Sequence, residues 1–265
     1  MRVASLHVYP VKSCRGIALQ RASVLARGIE HDRRWMLIDA AGVFVTQREA
    51  PALARIDVVL GGDGVVLSAW GHGEVRVPLR PSPDAPRRAV RIWKTEIVAI
   101  DCGDAAARWL STWVGAPVRL VFMPDDATRA VSPEHARPGD VVGFADGFPL
   151  LLAATASLAD LNDRLQGPVP MDRFRPNLVV SGGAPWDEDG WARVQIGGVA
   201  LRVAKPCGRC TLITIDQGTG ERTGAEPLRT LASFRQREGS ALFGQNLIPD
   251  APGWLAVGDA LHVTG

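Results

Sequence analysis

The sequence predicts a mainly β protein with a few helices, and three observations carry that reading. The first hundred residues break into short runs rich in valine, isoleucine and aromatic side chains, separated by Gly- and Pro-containing turns. Strands spaced this closely belong to barrels or sandwiches rather than to doubly wound sheets. Helical periodicity is confined to three segments, all beyond residue 100. The chain of 265 residues is long enough for one large core or two small ones.

Taken in order, the β-type runs are LHVYPVK (6–12), SVLAR (23–27), RWMLID (34–39), VFVTQ (43–47), RIDVVL (55–60), GVVLSAW (64–70), EVRVPL (74–79) and RAVRIW (88–93). The tripeptide AAG and the tetrapeptides GGDG and GHGE supply turns between them. DAAARWLSTWVG (104–115) reads as a helix, with Asp104 as N-cap and a closing glycine. Its Trp109, Leu110 and Trp113 fall at helical spacing and point to core. The polar, proline-containing stretch 123–140 reads as a loop or lid, and FPLLLAATA (148–156) as buried core. A second helix is expected over 155–165, strands over 177–182 and around 193–204, a third helix over 226–236, and two short closing strands. A boundary near 118–125 divides the chain into domains of residues 1–120 and 121–265.

A net charge of +2 argues against nucleic acid as the main partner. No apolar run approaches the roughly 18 residues that span a bilayer, so no membrane partner is expected. The N-terminal MRVASLHVYPVK lacks the features of a secretory signal. A cytoplasmic location follows as an expectation, with Cys14, Cys102, Cys207 and Cys210 kept reduced.

Two of these cysteines lie in KPCGRCTLITID (205–216). A thioredoxin-type dithiol needs a helix directly after the pair, whereas TLITID favours a strand. A structural zinc site needs four ligands, and Cys14, Cys102 and the five histidines show no paired spacing. Two readings stay open. The thiols are buried and behave as small apolar groups, or one of them, favoured as thiolate by Lys205 and Arg209, completes the coordination of a metal already held by a cofactor.

This stretch, together with RFRPNLVVSG (173–182), EPLRTLASFRQ (226–236), LFGQN (242–246) and GWLAVGDALHV (253–263), resembles a MOSC domain, the module named for molybdenum cofactor sulfurase C-termini. YPVKSCRG (9–16) and DRRWMLID (32–39) resemble the β-barrel domain that precedes it. By pattern the chain resembles the mitochondrial amidoxime-reducing component and bacterial MOSC proteins that reduce N-hydroxylated purine bases. The resemblance implies an N-terminal β-barrel-like domain packed on a C-terminal MOSC β-barrel domain. It also implies a molybdenum cofactor with one pterin dithiolene, two further oxygen ligands and one protein cysteine. In the family's C-x-R-C block the metal ligand is the second cysteine, here Cys210, the implied catalytic residue.

The family pattern further implies cofactor-binding roles for Lys12, Ser13, Arg33, Arg48, Arg175, Asn177 and Asn246. Arginine forks suit phosphate and lysine serves as a point charge. Pro176 should bias Arg175 towards an extended backbone, so that residues 175 and 177 face the same side. Plainer readings stand beside these: Lys12, Arg33 and Arg48 as solvated charges, Asn246 as a turn cap, and Arg173 paired with Asp172. Asp216 is a candidate proton donor whose competing use is the turn before QGTG, and Trp186 and Trp191 are expected to pack under a turn.

The implied reaction is two-electron reduction of an N–O bond in a small N-hydroxylated substrate, such as a hydroxylamine, amidoxime or N-hydroxy base. No Gly-x-Gly-x-x-Gly suggests a flavin or nicotinamide site, and too few cysteines remain for an iron–sulfur cluster. No pyridoxal-phosphate desulfurase segment is expected either. An external electron donor is therefore expected, a ferredoxin or a small cytochrome with its reductase. The alternatives are a sulfur carrier with a persulfide on Cys210, and a non-catalytic carrier of the cofactor.

Overall fold

The computed structural model describes residues 1–62 and 64–265. The strands of the first half are β1 (Arg2–Val8), β2 (Ile17–Leu19), β3 (Arg21–Leu25), β4 (Gly28–Ile29), β5 (Trp35–Ile38), β6 (Phe44–Val45), β7 (Asp57–Gly61), β8 (Gly64–Ala69), β9 (Gly73–Pro78), β10 (Arg87–Ile92) and β11 (Thr95–Asp101). Helix α1 (Asp104–Val114) and strand β12 (Arg119–Phe122) follow. After a long connection come β13 (Leu150–Ala154), α2 (Thr155–Asp163), β14 (Leu178–Ser181), β15 (Arg193–Ile196) and β16 (Val199–Arg209). The chain closes with α3 (Leu228–Arg235), β17 (Gln236–Arg237), β18 (Ser240–Pro249), β19 (Gly253–Ala256) and β20 (Leu261–Val263).

Among the described residues the largest sheet runs in the order β2-β1-β14-β13-β18-β16-β15-β20, with β17 pairing β18 off that path. A second sheet runs β10-β11-β12-β5-β6, and two three-stranded sheets are β19-β3-β4 and β7-β8-β9. The mainly β architecture with a few helices is as expected. Within it, β13 and β14 pair in parallel, bridged by α2. A parallel pair cannot be joined by a tight hairpin and needs such a crossover. The first strands do not stay among their sequence neighbours: β1 pairs β14 and β3 pairs β19. Val3, Leu6 and Val8 of β1 therefore pack in one core with Leu152, Leu178, Val199 and Leu247. A second core lies under α1, where Leu110 meets Trp35, Leu53, Leu67 and Leu120.

Several elements depart from expectation for local reasons. The first strand ends at Val8 rather than at residue 12, because Pro10 has no N–H for a ladder. α1 is capped by the Gly103 backbone, and Asp104 pairs with Arg119 at 2.7 Å instead of capping. TLITID begins with a single 3-10 turn, Thr211–Thr214, not a strand. β11 and β12 were not anticipated: TEIVAID carries its pattern, but the hairpin pairing with β10 decides it. The stretch 123–140 is a loop, ordered by the buried Arg129, whose guanidinium donates to Gly143 O (2.9 Å), Ala145 O (2.5 Å) and Asp146 O (2.8 Å). Of the expected GGDG turn, Asp63 lies outside the described residues. No helix among the described residues is long and apolar enough to cross a membrane.

Candidate active site

Where β1 ends, the chain turns inward. The Tyr9 N–H donates to Asp32 Oδ1 (2.8 Å) and the Lys12 N–H to Trp35 O (2.8 Å), which fastens residues 9–16 to the edge of β5. A Cβ on Gly16 would lie 2.5 Å from the Tyr9 ring, so this position has no room for a side chain. Lys12 is buried, and its Nζ donates to Phe144 O (2.9 Å) and Asp146 Oδ1 (2.5 Å). Burial lowers the Lys12 ammonium against the pull of Asp146. Desolvation works against charge on Asp146 in turn. Lys12, Arg48 and the Trp93 N–H outweigh it and hold the carboxyl well below the usual range. With the Asp146 side chain 61% exposed, solvent tempers both effects.

Arg33 and Arg175 hold the Tyr9 ring between their guanidinium groups, at 4.3 and 4.4 Å from its centroid. Arg33 Nη1 donates to Asp32 Oδ2 (2.6 Å) and Asn177 Oδ1 (3.2 Å), and Nη2 to Arg175 O (3.2 Å). Arg175 donates to Gln217 Oε1 (3.2 Å) and Cys14 O (2.7 Å). Burial lowers the Arg175 guanidinium to about 10, which leaves it charged at neutral pH, and raises the Tyr9 phenol to about 12. Ser13, Arg33 and Arg175 all have positive φ, at 71°, 45° and 55°. Such backbone costs about 1–2 kcal/mol per residue for a side chain with a Cβ. Three such residues at one place mark a strained site held by its surroundings.

The expectation of an extended Arg175 is thereby corrected. Its N–H closes onto Asp172 O (3.1 Å) after the 3-10 turn Met171–Arg173, and a left-handed residue then redirects the chain into Pro176. Arg173 does not pair with Asp172 either; it donates to Asp216 Oδ2 at 2.8 Å. Asp216 accepts from the Gly218 and Thr219 N–H groups, both at 2.9 Å. These bonds keep it ionised, a turn former rather than a proton donor.

Asn177 joins both halves. Its amide donates to His7 O (3.1 Å) and accepts from the Leu151 N–H (3.1 Å) as well as from Arg33. Replacing Asn177 with Ala leaves the buried partners unpaired and should cost about 2–3 kcal/mol. A shift in the denaturant midpoint at unchanged m-value checks this.

Opposite these groups lies the cysteine stretch. β16 carries Cys207, and Cys210 follows at the start of the 3-10 turn; all four cysteines are free thiols. Cys210 is exposed, with Arg48 Nη1 3.9 Å from its Sγ. Cys207 is partly buried and accepts from Arg209 Nη1 at 3.1 Å. Asn246, on β18, donates to Pro206 O at 3.4 Å, close to the thiols rather than capping a turn.

One cleft is lined by Lys12, Ser13 and Arg33 from the first half and by Arg175, Asn177, Cys210 and Asn246 from the second. Arg48 stands at its edge through the contact with Cys210. Among the described residues no three His, Cys, Asp or Glu side chains converge on a metal position. The donor set does fit an anionic, hydrogen-bonding cofactor that brings most of a metal's ligands with it. Buried cations supply a positive field, the Ser13 hydroxyl has no partner among the described residues, and one exposed thiol is free to coordinate.

Residues 1–117 match the MOSC N-terminal beta barrel domain and residues 139–262 the MOSC domain. Human mitochondrial amidoxime-reducing component 1 is 38% identical, covering 99% of this chain and 83% of its own length. The mouse protein of the same name is 37% identical, covering 99% and 82%. Human mitochondrial amidoxime reducing component 2 is 33% identical, covering 98% and 82%. The chain belongs to this MOSC family.

Several residues of the MOSC cleft escaped the sequence reading. Gln47 and Gln217 are buried and bonded to each other (3.0 and 3.1 Å), and Gln47 also donates to Ser13 O (2.7 Å). Together with Arg175 they lock the Ser13 loop to the cysteine side of the cleft. Tyr9, Asp146, Arg129 and Arg209 complete the scaffold. Of these, Tyr9 carried a signal as the chain's single tyrosine within a matched block, and Arg209 was read only as a cation beside the thiols.

Proposed function

We propose that this protein is a molybdenum-cofactor-dependent reductase of N-hydroxylated compounds that takes its electrons from a separate redox protein. What carries the reading is the meeting of the exposed Cys210 thiol with Lys12, Ser13, Arg33, Arg175 and Asn177 in one cleft built by both halves of the chain. The names of the relatives, which are amidoxime-reducing components, point to the same substrate class.

The net change is R–NHOH + 2 e⁻ + 2 H⁺ → R–NH2 + H2O. When bound, the cofactor supplies the two-electron reservoir and the Lewis acid at which the N–O bond is cleaved. The chain's own residues do the rest. Cys210 offers the one exposed protein thiol, with Arg48 Nη1 3.9 Å from its sulfur. Lys12, Arg33 and Arg175 provide fixed positive charge for a phosphate-bearing pterin, and arginine forks match phosphate geometry. Their charges cost no reorganisation when the ligand arrives, because Asp32, Asp146, Gln217 and backbone carbonyls already hold them in place.

The test is metal and pterin analysis of protein made in a molybdenum-supplied host, followed by reduction of benzamidoxime with chemically reduced protein. Near-stoichiometric molybdenum and formation of benzamidine are expected. Protein that purifies without molybdenum but with a persulfide on Cys210 would instead establish a sulfur carrier.

A further inference from the structure

At the tip of the β10–β11 hairpin stands an aromatic residue that the fold does not require. Ile92 pairs with Thr95, so Trp93 and Lys94 form a two-residue loop. Loops of this length favour Asn or Gly where φ is positive, and a bulky residue there is an outlier. Trp93 nevertheless adopts φ 54°. Burial does not compensate for the strain, since the residue is 47% exposed.

The indole is held from three sides. Its Nε1 donates to Asp146 Oδ1 (3.3 Å), the Phe44 ring packs against it at 5.0 Å, and the Arg48 guanidinium lies 4.7 Å from its centroid. Arg48 also reaches 3.9 Å from Cys210 Sγ, and Asp146 lines the cleft. Arg48 thus touches both the indole and the thiol, and Asp146 ties the indole to the cleft lining, which puts a preordered aromatic surface beside the cleft. Trp70, at the tip of the β8–β9 turn, makes the contrast at 89% exposed.

Resting on the function proposed above, we infer that Trp93, fixed by Arg48 and Asp146, is a specificity-determining residue that receives the flat organic part of the substrate. Compounds whose N–OH group sits on an aromatic or conjugated plane are then preferred to small aliphatic hydroxylamines. Strained backbone that is over-determined by its neighbours is characteristic of ligand-contacting positions. An indole whose rotamer is already fixed loses little freedom when a ring stacks on it.

The experiment compares the wild-type holoenzyme with Trp93→Gly and Trp93→Phe. Glycine suits the positive φ and removes a half-exposed side chain, so the fold should persist, which thermal melting checks. With viologen as electron source, kcat/KM is measured for benzamidoxime and for N-methylhydroxylamine. Binding of benzamidine, which is not reduced, is measured by calorimetry. Trp93→Gly should lower the benzamidoxime-to-methylhydroxylamine ratio about tenfold or more and weaken benzamidine binding by a similar factor, as expected for loss of one stacking face. Trp93→Phe should restore most of both. An unchanged ratio overturns the assignment. So does a defect that appears only with a protein electron donor, which would make Trp93 part of a docking face. Trp93-dependent benzamidine binding without reduction of either compound would uphold the aromatic subsite and sink the reductase reading.

Discussion

Cys210→Ser is expected to abolish molybdenum retention and N–O reduction while leaving the fold intact. The thiol is exposed and, among the described residues, its one hydrogen-bonding neighbour is Arg48 at 3.9 Å, so little packing depends on it. Substitutions at such positions shift stability by about 0.5 kcal/mol or less. A serine hydroxyl is a far poorer ligand for a soft site than a thiolate, because it stays protonated at neutral pH. Cys207→Ser should be milder. The Cys207 sulfur accepts from Arg209, and a hydroxyl can take over that role. Elemental analysis and turnover on both variants, with melting temperatures as control, check the result. Equal losses in the two would remove the case for Cys210 as the ligand.

The second large effect is expected at Arg175. Replacement by Met keeps much of the volume but strips the Cys14 carbonyl of its donor, leaves Gln217 Oε1 to Gln47 alone and uncovers one face of Tyr9. One buried acceptor left without a donor corresponds to about 1–3 kcal/mol. Cofactor should be lost as well, since the Ser13 loop is tied to the cysteine side through Arg175 and the Gln47–Gln217 pair. Arg175→Lys should not rescue, because one ammonium cannot both bridge the two acceptors and stack on the phenol ring. A further signature separates backbone from side chain. At φ 55°, Arg175→Gly should be more stable than Arg175→Ala by about 1 kcal/mol. Denaturant titrations of the apo-protein and pterin content of the loaded protein read these effects. An Arg175→Met variant that unfolds at the wild-type midpoint and keeps its cofactor would refute the argument.

Both predictions concern side chains distant in sequence that meet only in the folded molecule, and this shapes what could be read in advance. The alternating runs 57–61, 64–69 and 73–78 were legible because period-2 patterning and Gly-containing turns are local. α1 was legible from its spacing and from Gly115, which has φ 76° and whose N–H closes onto Ser111 O. The cap at its other end was misread, since Gly103 and not Asp104 takes that position once Asp101 accepts the Gly103 N–H. The 3-10 turn after Cys210 went unseen because β-branched residues score as strand unless a tertiary anchor, here Ile213 buried against Phe174, bends them.

By itself, then, the sequence determined the β-rich class, the extent of most hairpins and the residue types grouped in matched blocks, since local patterning and composition suffice for these. Only the tertiary structure decided that Lys12 answers to Asp146, that Arg33 and Arg175 close on Tyr9, that Gln47 meets Gln217, and that Trp93 stands beside Arg48. The reason is physical. Buried charges and amides take whichever partners the sheet order brings within hydrogen-bond reach, and here that order pairs β1 with β14 across more than 170 residues of chain.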